Sequence, residues 1–503
     1  MFKTRKASLL AAVCSAGLLA AAGAAQAETL ADAIALAYQT NPTLQEQRAN
    51  QRALDETYVQ ARTGLRPTVG ANLQVVDRQT KLATPTTSLV DTNGDGTPDS
   101  FATTDTVRSN SSAGTLSVVQ PLYTGGRVTS QISASDADVL QGRQQLRQIE
   151  ASVLLGVIQT YVDVRRDQER LRISQENVTV LERQLEESNA RFKVGEITRT
   201  DVAQSEARLA AARASLASAQ ASLAISRANY AAIVGQNPGE LAPEPSLAGL
   251  LPASVDDAFT RAEANNPQVM ASGYAERAAR ARVAAARAQR RPTVSLRGDL
   301  GYNASDVGGN GNQFGDYDRA VTGSVVATVP IFTGGLTNSQ VRQASARDDA
   351  ARIAIEGSRR NVLQDVAQAW NQLLGARANL TANQEQVNAA TIAFEGTRQE
   401  AQVGLRTTLD VLNAEQELRA AELALVTARH DEYVAGASVL AAMGDLEARN
   451  LTASVPIYDP ATNFHKVTHS WGWVPWEYGV ELLDHVGAPP IGPDPAESPV
   501  KGK

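Results

Sequence analysis

The sequence has few of the residues on which catalytic sites and extracellular cross-links depend. Its 503 residues include one cysteine, Cys14, and four histidines, and only 5% are aromatic. Because Cys14 lies in the N-terminal segment that we expect to be removed, the exported chain could form neither a disulfide nor a thiol nucleophile. Basic residues number 47 against 54 acidic ones, which argues against a nucleic-acid partner. No nucleotide-binding loop or catalytic dyad is present, so the sequence predicts no enzyme, cofactor or metal site.

Long apolar runs are lacking after the N-terminus. Residues 3–6 carry three basic side chains, residues 9–24 are apolar, and residues 25–27 read Ala-Gln-Ala. This order is typical of a secretory signal, so we expect the mature chain to begin at Glu28. No later run is long enough for a transmembrane helix, and we therefore expect any membrane contact to be made by strands.

The chain contains two copies of one pattern. Asn41-Pro42 and Arg66-Pro67-Thr68-Val69 recur 225 positions later as Asn266-Pro267 and Arg291-Pro292-Thr293-Val294. From Pro121 onward the offset is 209, which relates Pro121–Gly126 to Pro330–Gly335 and Val194-Gly195 to Val403-Gly404. The difference falls within Asp77–Ser111, which we interpret as a variable loop. Two long repeats indicate a pseudo-symmetric molecule.

These repeats suggest four segments: a signal peptide (1–27), repeat 1 (28–249), repeat 2 (250–449) and a C-terminal tail (450–503). In repeat 1 we expect strands at about 66–78 and 112–122 and helices at about 43–63, 127–193 and 199–234. In repeat 2 we expect strands at about 292–304 and 318–332 and helices at about 268–289, 336–402 and 408–443.

The predicted strands alternate between apolar and polar residues. Val294, Leu296 and Leu300 share one face, whereas Arg297 and Asp299 lie on the other. Roughly ten-residue strands of this kind are typical of membrane barrels. Four strands cannot close a barrel, and eight from two chains would leave an interior filled by side chains. Twelve strands from three chains leave a pore, which favours a trimer.

The long predicted helices contain no proline between Pro121 and Pro238 or between Pro330 and Pro456. Apolar residues recur at every seventh position from Val157 to Phe192. This spacing predicts helical hairpins that pack against other helices, with a first arm roughly 100 Å long. By itself it also fits a coiled coil that spans the cell envelope without conducting.

With these features in order, the chain resembles the TolC-type outer-membrane efflux proteins over about Thr29 to Leu446. The resemblance implies a mainly α fold with membrane strands. It implies a homotrimer with a 12-stranded outer-membrane β-barrel that continues as a 12-helix α-barrel into the periplasm of a Gram-negative cell. It also implies outer-membrane lipid, a periplasmic adaptor and an inner-membrane transporter of ABC or RND type as partners, and efflux or type I secretion as the function. The alternative function is the non-conducting envelope-spanning coiled-coil protein.

The resemblance also suggests roles for residues at the hairpin tips. Asp410 matches the aperture ring of the family, where a second acidic position is Asn413 here, and Asp201 and Arg406 match a charge link that holds the tip shut. Three Asp410 carboxylates near one axis would favour cations. The alternative is that these are solvated charges at helix starts.

Two further sets of residues mark turns. The hairpin tips match the adaptor-docking region of the family, although they could also be plain hairpin turns: Val194, Gly195, Val403, Gly404 and Leu405. The Thr-Gly-Gly sequences predict strand-to-helix corners rather than anion sites, with Pro121, Gly125, Gly126, Pro330, Gly334 and Gly335.

Two weaker patterns remain. Asp91–Asp99 resembles a calcium loop, but Ala102 stands where the loop needs Glu, and a metal-free polar turn is favoured. In the tail, we expect Trp471, Trp473 and Trp476 to pack outside the helical tunnel near its mid-length and residues 487–503 to be disordered.

Overall fold

The computed structural model describes most of the mature chain. The described residues are 27–81, 86–90, 94–97, 99–103, 106–307, 314–452, 456–469 and 472–491. The predicted signal peptide before Ala27, Trp471, and residues 492–503 lie outside them. The signal peptide and the repeat boundaries at 249 and 449 stay predictions.

Eleven helices and six strands are formed by the described residues. The helices are α1 (Leu30–Thr40), α2 (Pro42–Arg62), α3 (Arg127–Lys193), α4 (Arg199–Val234), α5 (Val255–Asn265), α6 (Pro267–Ala288), α7 (Leu336–Gln402), α8 (Thr408–Met443), α9 (Ala448–Leu451), α10 (Pro460–Thr468) and α11 (Glu477–His485). The strands are β1 (Thr68–Lys81), β2 (Thr86–Val90), β3 (Asp99–Thr103), β4 (Thr106–Tyr123), β5 (Thr293–Val307) and β6 (Asp318–Thr328).

The chain divides into two compact units. One unit contains the described residues within 1–51, 141–272 and 354–460, and the other contains those within 52–140, 273–353 and 461–503. The hairpin tips belong to the first unit, which we call the tip unit. The strands and the tail helices α10 and α11 belong to the second, which we call the strand unit.

The main sheet of the strand unit has the antiparallel order β1-β4-β5-β6. Thr68 is opposite Val119 in the β1–β4 pair, and Thr293 is opposite Thr328 in the β5–β6 pair. Thr293 lies 225 positions after Thr68, and Thr328 lies 209 positions after Val119. Both pairs therefore have the same register, and the two offsets in the sequence reflect equivalent strand pairs.

The register gives this sheet one apolar and one polar face. A single row of paired residues on the first face runs Ala71, Leu116, Leu300 and Val321 across the four strands. The neighbouring row on the second face runs Gly70, Ser117, Asp299 and Thr322. The apolar face is open: Leu73 is 86% exposed and Val321 is 71% exposed. We call the face with Leu73 and Val321 the apolar sheet face.

Packing in the tip unit explains the seven-residue spacing of the sequence. Val157 and Val164 of α3 are fully buried in a cluster that also takes Tyr230 of α4, Leu373 of α7 and Leu440 of α8. Burying aliphatic and aromatic side chains of this size contributes roughly 1.5–3 kcal/mol each. Phe192, the last residue of the spacing, is 43% exposed at the end of α3.

Each Asn-Pro sequence joins two helices of its repeat. The Asn41 side-chain amide donates to the Ile233 carbonyl at the end of α4 (2.9 Å), while its Oδ1 accepts from the backbone of Thr43 and Leu44 in α2. Asn266 makes the equivalent bond to the Ala442 carbonyl at the end of α8 (2.8 Å). Proline follows because the first residue of a helix needs no N–H partner.

The structure corrects the interpretation of Asp77–Ser111 as a loop. Strand β1 extends to Lys81, β4 begins at Thr106, and β2 and β3 form a small antiparallel hairpin within the segment. The segment is rich in Thr and Ser. The strands continue through it because strand pairing uses backbone hydrogen bonds, and polar side chains do not prevent these bonds. Conversely, β6 ends at Thr328, four residues before the predicted end, since Pro330 removes a backbone donor.

Helices α1, α5, α9, α10 and α11 were not among the sequence predictions, because short helices give little periodic signal. None of the helices in the described part of the chain has both the length and the apolar character needed to cross a membrane.

Candidate functional site: the hairpin tips and the strand-helix turns

The two hairpin tips have the same backbone geometry. At the first tip the Gly195 N–H donates to the Phe192 carbonyl (3.0 Å) and the Glu196 N–H to the Arg191 carbonyl (3.0 Å). At the second, Gly404 donates to Ala401 (3.1 Å) and Leu405 to Glu400 (2.9 Å). Gly195 and Gly404 have φ of 80° and 82°, a left-handed conformation in which a side chain would be strained.

Three apolar side chains project from these tips into solvent. Val194 and Val403 are each 72% exposed, and Leu405 is 76% exposed. An added Cβ at Gly195 or Gly404 would meet open space. The tips therefore present small apolar surfaces on rigid turns.

Capping boxes start both returning helices. The Thr198 hydroxyl accepts from the Asp201 N–H, and the Asp201 carboxylate accepts from the Thr198 N–H (2.9 Å). Thr407 and Asp410 repeat this arrangement, with 3.0 Å between the Thr407 nitrogen and the carboxylate. The hydrogen bond from the Thr407 backbone holds the pKa of the Asp410 carboxyl below its usual value, and Thr198 does the same for Asp201. Both aspartates are thus charged at neutral pH.

The structure places the other two predicted gate residues in separate contacts. Arg406 forms an ion pair with Glu400 at 2.8 Å, and both side chains are about half exposed. Asn413 accepts a hydrogen bond from Arg208 of α4 (3.0 Å), and Arg208 also donates to Gln416. Within one chain, therefore, Asp201 and Asp410 cap helices. Arg406 forms an ion pair with Glu400 of the same hairpin, and Asn413 links α8 to α4.

A buried carboxylate that sequence reasoning missed holds the first strand-helix turn. Asp484 of α11 is fully buried and accepts from the backbone of Thr124 (2.5 Å), Gly126 (3.2 Å) and Thr129 (3.3 Å). Gly126 and Thr129 supply N–H groups of the kind that the start of a helix leaves unpaired, and Thr124 lies in the turn just before α3. Gly125 and Gly126 have φ of 73° and 82°. An added Cβ at Gly126 would lie 2.5 Å from the Ala488 Cβ, so only glycine fits.

The second turn, at Gly334 and Gly335, has the same positive φ but open surroundings. Ile331 and Phe332, which precede it, are 94% and 90% exposed. Their counterparts Leu122 and Tyr123 in the first repeat are half-buried. The two turns therefore share a backbone and differ in what covers them.

Glu477 is the second carboxylate that the sequence interpretation missed. It is 1% exposed and pairs with Arg62 (2.6 Å) and with Arg66 (2.9 Å), the arginine of the first Arg-Pro sequence. Glu477 and Asp484 are seven residues apart, with Val480 between them on the same helical face. Acidic residues at such spacing in a tail helix are the signal that could have identified them.

The structure also corrects the predicted position of Trp476, one of the three tail tryptophans. The Trp476 indole N–H donates to Gln120 Oε1 (3.1 Å), at the end of β4 rather than at the mid-length of the long helices. Ala488 packs on Gly126, so the prediction of disorder was wrong for the first residues of 487–503. Of the calcium-like loop, only residues 94–97 and 99 are described, and there Asp95 accepts from the Thr97 backbone (2.8 Å). In the described ranges no group of three or more ligating side chains could hold a metal ion.

Comparison with known proteins gives a consistent result. The sequence profile of the outer membrane efflux protein family matches residues 33–236 and 258–445. The outer membrane efflux protein BepC of Brucella suis is 34% identical over 471 residues, which cover 94% of this chain and 97% of that protein. The alkaline protease secretion protein AprF of Pseudomonas aeruginosa is 26% identical, covering 67% and 70%.

Solved structures show the same fold. The open state of the Neisseria gonorrhoeae MtrE outer membrane channel superposes with a TM-score of 0.67 at 23% identity, covering 83% of this chain and 90% of that chain. The family profile spans most of this chain, and the relative from Brucella suis matches nearly end to end. The chain belongs to the outer membrane efflux protein family, a family of channels and not of enzymes.

Proposed function

We propose that three copies of this chain form a channel that crosses the outer membrane and continues into the periplasm. The channel serves as the exit duct for small molecules, secreted proteins or both, and an inner-membrane transporter drives export through a periplasmic adaptor. Family membership supports the export function, and AprF, by its name, serves protease secretion.

The observation that carries the proposal is the incomplete sheet of the strand unit. Strands β1 and β6 are its edges, and its apolar sheet face is open. A sheet edge inside a bilayer would leave backbone groups without partners, at a cost of several kcal/mol each. Pairing β6 of one copy with β1 of the next removes both edges, and three copies give the twelve strands of a β-barrel with a pore.

The internal repeat specifies the register of that pairing. Within one chain Leu116 of β4 is opposite Leu300 of β5. Strand β6 is the counterpart of β4 at an offset of 209, and β1 is the counterpart of β5 at an offset of 225. Val325 and Val75 are therefore the counterparts of Leu116 and Leu300. In a ring that preserves the repeat, Val325 of one copy lies opposite Val75 of the next.

The open second turn supports the same closure. An added Cβ at Gly125 would lie 2.6 Å from the Arg291 Cβ, so the first turn is filled by the residue that precedes β5. The counterparts of Gly125 and Arg291 are Gly334 and Arg66. Arg66 of the next copy would thus approach Gly334, and the next copy would cover Ile331 and Phe332.

Cysteine cross-linking tests the proposal, because Cys14 is the single native cysteine and lies in the predicted signal peptide. We expect the double variant Val75→Cys/Val325→Cys to form a covalent trimer on oxidation, since paired Cα atoms lie about 4.5–5.5 Å apart. The covalent trimer should conduct ions in a planar bilayer. Ala71→Cys/Val325→Cys is the control. Ala71 lies on the same face of β1 as Val75 but is four residues away from the proposed register.

Equal cross-linking of the two pairs, or of neither, would contradict the proposed register. Covalent trimers without conductance would favour the non-conducting scaffold.

At the tips, the proposed roles of the predicted residues follow from the trimer. We place Asp410 and Asn413 at a narrow aperture, where three charged Asp410 side chains favour cations. We assign Asp201 and Arg406 to a charge link between neighbouring hairpins. The exposed residues Val194, Val403 and Leu405, on turns held by Gly195 and Gly404, dock the adaptor. The Pro121 and Pro330 turns, with their glycine pairs, redirect each strand into its helix.

A further inference from the structure

The tail helix α11 has the reverse of the polarity expected for a helix on a protein surface. Its buried residues are Glu477, Val480 and Asp484. On the opposite side Tyr478 is 70% exposed, Leu482 52%, Leu483 55% and Val486 67%. Two charged side chains thus face the protein, and four large apolar side chains face outward.

The contacts of the strand unit explain the inward charges. Glu477 pairs with Arg62 and Arg66, and Asp484 supplies acceptors to the start of α3. These contacts fix which side of the helix faces outward. They do not explain the apolar side chains, since leaving such residues in water forgoes the free energy that burying them would give. An apolar environment outside the chain would recover that energy.

The position of α11 identifies that environment. Trp476, which precedes the helix, donates to Gln120, and Gln120 is opposite Leu296 in the sheet. Opposed residues share a face, so Gln120 and Leu296 belong to the same side as Leu116 and Leu300. The helix therefore adjoins the apolar sheet face at the end of β4 that leads into α3.

We propose that the outward side of α11, together with Trp473 and Trp476, is an interfacial anchor that lies on the periplasmic surface of the outer-membrane lipid. The inference rests on the proposed function, in which the apolar sheet face meets lipid. Trp473 and Trp476 are 52% and 53% exposed. Tryptophan and tyrosine are enriched at the level of lipid headgroups, and a short helix with one apolar side lies in that plane.

The anchor gives the tail a function in addition to its contacts in the strand unit. The inward face of α11 binds the first strand-helix turn through Asp484, and the outward face binds lipid. Lipid contact therefore acts on the same helix that completes the start of α3. The competing occupant of the outward side is a second copy of the chain.

Site-specific fluorescence in vesicles tests the anchor. The mature full-length protein carries a bimane label at Leu482→Cys and is reconstituted into vesicles of phosphatidylcholine and phosphatidylglycerol, with bromine near the headgroup end of the acyl chains. We expect the bromolipid to quench Leu482→Cys strongly. Tyr478→Cys, on the same side of α11, is the second labelled site and should be quenched likewise.

Two further labels separate failure of the inference from failure of the proposed function. Leu73→Cys, on the apolar sheet face, must be quenched if the sheet meets lipid. Glu196→Cys, at a hairpin tip, should not be quenched. If Leu73→Cys is quenched while Leu482→Cys and Tyr478→Cys are not, the anchor is wrong. If none of them is quenched, the membrane sheet and the anchor both fail.

A soluble quencher, iodide, identifies the competing occupant. Labels at Leu482 and Tyr478 that are shielded from both iodide and bromolipid would place a second copy on α11 and overturn the anchor. Labels that iodide quenches and bromolipid does not would show a water-exposed face, which also overturns it.

Discussion

The aspartates at the hairpin tips show how one residue can have a structural and a functional role. Asp201 and Asp410 each cap a helix, and the hydrogen bonds of the cap keep their carboxylates charged. The sequence left open whether they are gate residues or solvated charges at helix starts. The structure establishes the cap, and the gate stays a proposal, because a cap oriented toward the axis of a trimer could serve both purposes.

Arg406 allows the proposed charge link to be tested against its local ion pair. We expect Arg406→Ala to widen the resting channel, since it removes the link between hairpins, and single-channel conductance measures this. Glu400→Gln removes the partner within the chain but keeps the Arg406 charge. Widening by Arg406→Ala alone supports the link. Equal widening by both variants would mean that the local pair matters instead.

Asp410 is tested in the same bilayers by its charge. Asp410→Asn keeps an oxygen that can accept from Thr407 and removes the negative charge. We expect a lower preference for cations over anions, because three charges leave the aperture. Glu196→Gln removes an exposed tip carboxylate that we do not place at the aperture. If both variants leave ion selectivity unchanged, Asp410 does not line the aperture.

His430 gives the tip unit a pH-dependent contact. Its ring lies 2.9 Å from Asp163 of α3 and 2.9 Å from Asp431, and Arg166 lies 3.5 Å away. Burial disfavours the charged ring, but the hydrogen bonds to Asp163 and Asp431 prevail, and its pKa is raised above 6.5. The pKa of Asp163 is lowered; burial opposes this, and the His430 hydrogen bond and the Arg166 charge outweigh it.

A group whose pKa is raised on folding stabilises the protein below its unfolded pKa, and this contribution is lost as pH rises through the folded pKa. We therefore expect the unfolding temperature to fall as pH rises from about 6.5. In His430→Gln this part of the decline should be absent. The same pH profile in both proteins would exclude His430 as its cause.

At the scale of elements, the tail helix and the first turn depend on each other. Asp484→Ala leaves the Thr124, Gly126 and Thr129 donors without their acceptor, at about 1–3 kcal/mol for each buried donor. We expect a lower unfolding temperature and cleavage of the tail by low concentrations of protease. The unfolding temperature should fall less in Asp484→Asn, which keeps one acceptor oxygen. It should hardly change in His485→Ala, which alters an exposed neighbour. Full stability of Asp484→Ala would show that the carboxylate does not hold the turn.

The surface of the hairpin tip can be changed without disturbing the buried core of the tip unit. Leu405 is 76% exposed, so Leu405→Asp should leave the fold intact while it charges the proposed docking surface. We expect the purified variant to capture the proposed periplasmic adaptor at least tenfold less well, equivalent to about 1.4 kcal/mol. Leu405→Met, which keeps the surface apolar, is the control. Undiminished capture by Leu405→Asp would remove the tip from the docking site.

For the whole molecule, the repeat acts at two levels. It gives equal registers to the β1–β4 and β5–β6 pairs within one chain, and it predicts the β6–β1 register between chains. The pseudo-symmetry is broken at the strand-helix turns, because Asp484 covers the first turn and the second is open. The proposed trimer needs such an open end, because each copy has to close on the next.

The long hairpins and the strand faces were visible in the sequence because they are periodic. A seven-residue spacing without proline predicts α3, and alternation predicts the face shared by Leu296 and Leu300. Threonine followed three residues later by aspartate marks the starts of α4 and α8, as Thr198 and Thr407 show. These signals are local, so they can be recognised without knowledge of the fold.

The sequence by itself determined the two repeats, the hairpins, the polarity of the strands and the family, since each depends on residue spacing along the chain. Only the tertiary structure decided that Asp484 completes the start of α3, that Glu477 holds Arg66, and that both ends of Asp77–Ser111 continue the main sheet. Asp484 and Thr124 are separated by 360 positions. Such a contact leaves no periodic pattern in the sequence, because it forms only when folding brings the Asp484 carboxylate to backbone donors far away along the chain.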